Sequence, residues 1–190
     1  MISFLIISLV SCFGYIWLIT KRYVDIPQSI SNSYYMWLSN PLTKGYAVFL
    51  FYGWCIMSAL PLMIFWLDLS EVIGKTNMQW MIFLACSSLV FTGVAYKHQD
   101  KGQEGFIHQW SAIFCAVVAQ LWLFINFPSS IAIAVLFFGL CFMMSKLTKG
   151  QFYTYDGRFE ESKNILYWME IASFSTVYIN LIIIYLTTIL

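Results

Sequence analysis

Charge is what this 190-residue chain has least of: Asp, Glu, Lys and Arg together make up 10% of it, where a soluble domain carries about 25%. The shortage runs the whole length, so it does not come from one apolar segment in an otherwise soluble protein. The longest stretch between apolar runs, residues 21–44, is shorter than the roughly 50 residues that an independent domain takes. Any activity is therefore expected within the bilayer, at its surface, or through a partner. Histidine is scarce too, with two in the chain, while a zinc site wants three or four His, Cys or carboxylate ligands. The candidates His98, His108, Asp100, Glu104 and Glu170 show no HExxH spacing, so neither a metal nor a cofactor is expected. A glycine-rich phosphate loop is missing as well. The five cysteines, Cys12, Cys55, Cys86, Cys115 and Cys141, all fall inside apolar runs. They make no disulfide framework and no CxxC pair, and read as small packing residues.

What the chain has is hydrophobicity, 61% of its residues, and aromatic side chains, 19%. Six apolar runs cover approximately 2–20, 45–67, 79–96, 110–127, 131–145 and 165–190. A helix crossing ~30 Å of hydrocarbon needs about 20 mostly apolar residues, so each run predicts one crossing. The expected fold is an all-α, six-helix polytopic membrane protein, a single transmembrane domain over residues 1–190. Threading the chain back and forth puts loops 21–44, 97–109 and 146–164 on one side. They carry Lys21, Arg22, Lys44, Lys97, Lys101, Lys146, Lys149, Arg158 and Lys163, and Lys75 alone falls on the other side. The positive-inside rule makes the basic loops cytoplasmic and both termini external. Met1-Ile2-Ser3 is uncharged and Lys21-Arg22 follow the first run, the reverse of a secretory signal, which predicts a retained first span. Trp17, Trp37, Trp66, Trp80, Trp110 and Trp168 sit near predicted span ends, where indoles favour the headgroup region. Trp54 and Trp122 lie mid-span and are expected to pack between helices.

Between the first two spans, Pro27 and Pro41 bracket a segment too polar to cross the membrane and too aromatic for an idle linker. Ser29, Ser31, Asn32 and Ser33 supply turn and capping groups. Tyr34 to Leu38 predict a short helical turn, either lying flat in the interface or acting as a lid over a cytoplasm-facing cavity. Pro128-Ser129-Ser130 is short enough to predict an antiparallel helical hairpin between the fourth and fifth spans. Asp156-Gly157 between aromatic residues signals a β-hairpin with a type I′ turn. No inverted repeat is visible, and Pro61 is the one proline clearly inside a span, which speaks against a transporter of broken helices.

An ionisable residue inside a membrane is a functional candidate by default, and Glu170, in the last span, is the one that qualifies. At about 100° per residue, Glu170, Ser173 and Asn180 share a roughly 80° arc of that helix. This polar stripe suits either interhelical hydrogen bonding or contact with a ligand. His108 opens the fourth span at a similar depth, so a His108–Glu170 pair is geometrically feasible, and its imidazole suits acid–base work near neutral pH. His98, flanked by Lys97, Gln99 and Asp100, reads as a solvated loop residue. Ser87, Ser88, Thr92, Gln120 and Asn126 read as helix–helix contacts.

The stretches Ile26–Tyr35 and Phe83–Ala95, His108, and Trp168–Phe174 resemble small multi-pass membrane proteins of Bacteroidetes and their phages. The resemblance covers most of the chain, brings no assigned activity with it, and implies a bacterial inner membrane. It implies that Ser31, Tyr35, His108 and Glu170 belong to one cytoplasm-facing polar cluster. The Pro-x-Ser-Ile-Ser stretch after the first span is faintly similar to the six-span, lipid-associated DRAM/FRAG/Sfk group, whose corresponding loop is non-cytoplasmic. Ceramidase-like hydrolases place three His around zinc, which two His cannot supply.

The leading expectation is a non-enzymatic protein that binds lipid or a hydrophobic ligand, or scaffolds a membrane assembly. Its binding residues would be Glu170, Ser173, Asn180, His108 and Tyr35. The alternative is a membrane-embedded lipid hydrolase or transferase using His108 and Glu170 as an acid–base pair and Ser31 as nucleophile. An oligomeric channel lined by Ser173 and Asn180 is a third. Expected partners are membrane lipids and either a second copy or another membrane protein. The basic face records topology and anionic-lipid contact, not nucleic acid.

Overall fold

The computed structural model describes residues 1–190 except Val24, His98, Asp100, Lys101 and Leu190. Three residues named above, His98, Asp100 and Lys101, thus lie outside the described residues. Among the described residues seven α-helices form, and six of them are long and apolar enough to cross a membrane. These are α1 (Ile2–Arg22), α3 (Ala47–Val72), α4 (Gln79–Val94), α5 (Gln103–Asn126), α6 (Ser130–Leu147) and α7 (Ile165–Ile189), with the short α2 (Ser33–Ser39) between the first two spans. The chain is an all-α integral membrane protein, because only a helix or a closed barrel satisfies its own backbone inside hydrocarbon.

Two boundaries differ from the sequence reading, and both matter for the site. Helix α5 starts at Gln103, about two turns before the expected Trp110, so His108 sits within the helix and not at its mouth. Helix α3 runs on to Val72, past the expected Leu67, which carries Trp66 into the core. There Trp66 packs edge-on against the fully buried Trp122, with ring centroids 5.1 Å apart. Trp17, Trp80 and Trp110 are exposed, as headgroup-level indoles should be. Lys21 lies over the Trp17 ring at 4.5 Å, closing the basic end of α1.

The helices pack in a chain of neighbours: α1 on α3, α3 on α4, α4 on α5, and separately α6 on α7. Gly93 permits the α3–α4 approach, since a Cβ there would stand 2.8 Å from that of Cys55. Helix α5 meets α7 along a lighter contact and barely touches α6. The short link at Pro128 therefore joins two helices that splay apart. Phe127, at φ −141° and ψ 83°, leaves the helical conformation before Pro128 and ends α5 there.

The basic-side loops build a three-stranded sheet from β1 (Ile26–Pro27), β2 (Gly150–Tyr153) and β3 (Phe159–Ser162). Strands β2 and β3 form the expected hairpin, with Tyr153 opposite Phe159. Its turn is not type I′: Gly157 is the residue with positive φ, at 78°, while Asp156 stays at negative φ. A type I′ turn needs positive φ at both central residues. The loop is instead Tyr155–Gly157, closed by the Thr154 N–H on the Arg158 carbonyl at 2.9 Å. Bonds from Thr154 and Arg158 hold the exposed Asp156 carboxyl below its ordinary pKa.

An isolated hairpin is marginal in water, and this one leans on the loop after α1. Strand β1 pairs in parallel with β2. Asn32, fully buried, then treats Tyr153 as a strand partner: Oδ1 accepts its N–H at 2.9 Å and Nδ2 donates to its carbonyl at 3.0 Å. The Tyr23 hydroxyl donates to the same Oδ1 at 3.1 Å, and burial pushes its phenol pKa well up, so it stays a neutral donor. Residues 29–37 are all buried, so this segment plugs the basic end of the bundle and does not lie flat on its surface. Replacing Asn32 by Ala is expected to cost about 1–3 kcal/mol by orphaning buried polar groups. A lowered thermal midpoint in detergent, with faster proteolysis between residues 150 and 162, is the expected readout.

Candidate functional site

The plug segment enters the bundle by handing its backbone groups to three elements in turn. Gln28 donates its N–H to the Gln151 carbonyl at 2.7 Å, and its own carbonyl accepts the Tyr167 N–H of α7 at 2.9 Å. That bond satisfies one of the orphan donors in the first turn of α7. One turn deeper, Glu170 Oε2 accepts the Ile30 N–H at 2.6 Å. Next in sequence, Ser31 Oγ meets His108 Nε2 at 2.9 Å.

The imidazole orientation comes from α4. His108 Nδ1 lies 2.9 Å from both the Thr92 and the Ala95 carbonyl oxygens, at the end of that helix. The last carbonyls of a helix have no intrahelical partner, and a carbonyl can only accept. Nδ1 therefore carries the proton, and in the neutral imidazole Nε2 is left as the acceptor for the Ser31 hydroxyl. Both side chains are buried.

Ser31 and Glu170 face a chamber of about 60 Å³, also lined by Thr92, Ser173, Trp54 and Phe174. That is large enough to hold water. Trp54 Nε1–H is buried and has no partner among the described residues.

Beside the chamber runs a much larger cleft of about 580 Å³, formed where α5 and α6 splay. Val117 and Leu121 of α5, Ile131 and Val135 of α6, and Met169 of α7 line it. Ala116 borders both cavities. So does the pair Gln120 and Ser173, one on each side: Gln120 Nε2 donates to the Ser173 carbonyl at 3.2 Å, and Gln120 Oε1 is buried without a partner among the described residues. Ala116 and the Gln120–Ser173 contact thus separate the apolar cleft from a smaller, mostly apolar chamber into which Ser31, Thr92, Glu170 and Ser173 bring polar groups.

The structure brings together four of the residues singled out from sequence: Ser31, His108, Glu170 and Ser173. Ser31 lies between the other two in this network, and among the described residues no hydrogen bond joins His108 to Glu170. Tyr35 sits on α2, in the plug, where its hydroxyl accepts the Gln99 N–H at 2.9 Å. Asn180 is farther along α7 and donates to the Thr176 carbonyl of its own helix at 2.8 Å. Sequence reading missed the carbonyl clamp on His108, because backbone groups leave no residue-type signal. It also missed the cleft, whose lining looks like any lipid-facing surface. A second buried cluster went unnoticed as well: Tyr178 donates to Ser8 Oγ, which donates to the Ser58 carbonyl, each at 2.5 Å. It ties α1, α3 and α7 together in the middle of the bundle.

No family model matches the chain, and no curated protein or solved structure matches it either. The site therefore has to be read from its own chemistry.

Glu170→Gln keeps an acceptor for Ile30 and is expected to retain nearly full stability. Glu170→Leu orphans that N–H and should lower stability by about 1–3 kcal/mol. Thermal unfolding in detergent and hydrogen exchange over residues 28–33 report both, and equal behaviour of the two variants would remove Glu170 as the anchor of the plug.

Proposed function

We propose that this membrane protein binds a bilayer lipid laterally, with an acyl chain in the α5–α6 cleft and the polar part of the molecule beside the Ser31–Glu170 chamber. The observation that carries this reading is the adjacency of the two cavities across Ala116 and Gln120. A cleft of about 580 Å³ falls within the roughly 300–1,000 Å³ typical of ligand sites. Its walls match acyl chains, and its neighbour supplies the polar groups that a headgroup or ester needs. A lipid can enter sideways because α6 stands away from α5, without first leaving the bilayer.

The chamber lies toward the end of the bundle that carries the plug, the sheet and most of the basic residues. The charge bias supports placing that end at the cytoplasmic leaflet. Lys and Arg there suit an anionic headgroup surface. Small packing defects between helices are common; an apolar cleft that shares Ala116 with a chamber lined by Ser31 and Glu170 is a more specific arrangement.

Filling the cleft tests the reading. Val117 is about half exposed on its wall, so Val117→Trp should fold while occupying the space. Native mass spectrometry of the wild-type protein is expected to show one discrete retained lipid. Retention should fall at least about tenfold in Val117→Trp, equivalent to roughly 1.4 kcal/mol. Val10→Trp, at an exposed position on α1, should leave it unchanged. Equal lipid retention in all three, or a bare dimer sealed across α5 and α6, would overturn the assignment.

A further inference from the structure

We propose that Ser31 and His108 are the nucleophile and general base of an acyl-transfer site acting on an ester-linked acyl lipid. This rests on the lipid reading above and adds a reaction to it. A serine hydroxyl is a weak nucleophile until an adjacent base accepts its proton, and the signature is a nucleophile–base hydrogen bond with the base oriented by a third group. All three parts are present. The Ser31 Oγ to His108 Nε2 distance is 2.9 Å. The orienting group is the pair of α4 carbonyls, which hold the Nδ1 proton at 2.9 Å each. In a Ser–His–Asp site a carboxylate fixes this tautomer; here the unsatisfied end of a helix does it.

Glu170 touches neither reacting atom. By accepting the Ile30 N–H it fixes the backbone immediately before Ser31, and is a positioning residue. Trp54 supplies the remaining need. Its Nε1–H is a buried donor without a described partner, in a side chain that lines the same chamber. A developing oxyanion requires such a donor, preorganised and screened from bulk water. The neighbouring cleft accounts for the substrate class: an acyl chain seated there runs toward the chamber across Ala116.

The steps balance with water as co-reactant. Ser31 Oγ bonds to the ester carbonyl carbon as His108 Nε2 takes the hydroxyl proton. The carbon–oxygen bond to the alcohol breaks, and His108 returns that proton to the departing oxygen, leaving an acyl-Ser31. Water then attacks the acyl carbon, its proton passes through His108 to Ser31 Oγ, and a fatty acid leaves. A lipid alcohol in place of water makes the same site a transferase.

The test is covalent capture. Full-length protein in lipid nanodiscs is treated with a long-chain alkyl fluorophosphonate, and the adduct is mapped by peptide mass spectrometry. Phosphonylation of Ser31 is expected. It should fall at least about 100-fold in His108→Gln, the usual worth of a general base. Trp54→Phe, which keeps most of the ring packing, should slow capture while leaving the fold intact. No Ser31 adduct in protein that still retains lipid would overturn the reaction and leave the lipid reading standing. An adduct of equal rate in His108→Gln would overturn the base. Equal capture by a short, chainless fluorophosphonate would overturn the acyl-chain cleft while sparing the Ser–His pair.

Discussion

The bond from the Ile30 N–H to the Glu170 carboxyl is the constraint around which the rest of the site is arranged. A carboxyl inside a membrane is costly without a partner, and a loop backbone pushed into a bundle carries donors that water can no longer reach. Each group solves the other's problem at 2.6 Å. Once Ile30 is held there, Ser31 falls opposite His108, Asn32 opposite Tyr153, and Gln28 opposite the first turn of α7. The β1 edge of the sheet, Ser31 and Asn32 all lie close in sequence to this anchored residue.

A second constraint is the splay of α5 from α6. Within a bilayer there is no hydrophobic force to close such a gap, because lipid tails are as apolar as the side chains that would fill it. The cleft can therefore persist at no great cost in free energy, provided that something apolar occupies it. Its position beside the chamber makes it consequential for the proposed reaction, which needs a route from the bilayer to Ser31.

Much of the architecture was legible in the residues. Six runs, their order and the basic side followed from hydropathy and charge counts alone, since crossing a membrane imposes a length and a composition on every segment. Glu170, His108, Ser173 and Ser31 could be singled out because polar groups are rare here, and a rare residue in an apolar stripe stands out. The hairpin was visible in Asp156-Gly157, although its turn type depended on the φ of Asp156, which residue identity does not specify. Asn180 shared the polar stripe with Glu170, yet it satisfies itself on its own helix. A shared face gives direction around an axis but not which neighbour occupies that face at each level.

By itself the sequence determined that this chain lives in a membrane as six helices, with its polar residues confined to few places. Burial and charge costs act on each segment separately, so they can be read one segment at a time. Tertiary structure alone decided that Ser31 meets His108, that α4 carbonyls set the imidazole tautomer, and that an apolar cleft adjoins the chamber. Those depend on how helices distant in sequence are spaced, and on backbone groups that every residue shares and no residue name reveals.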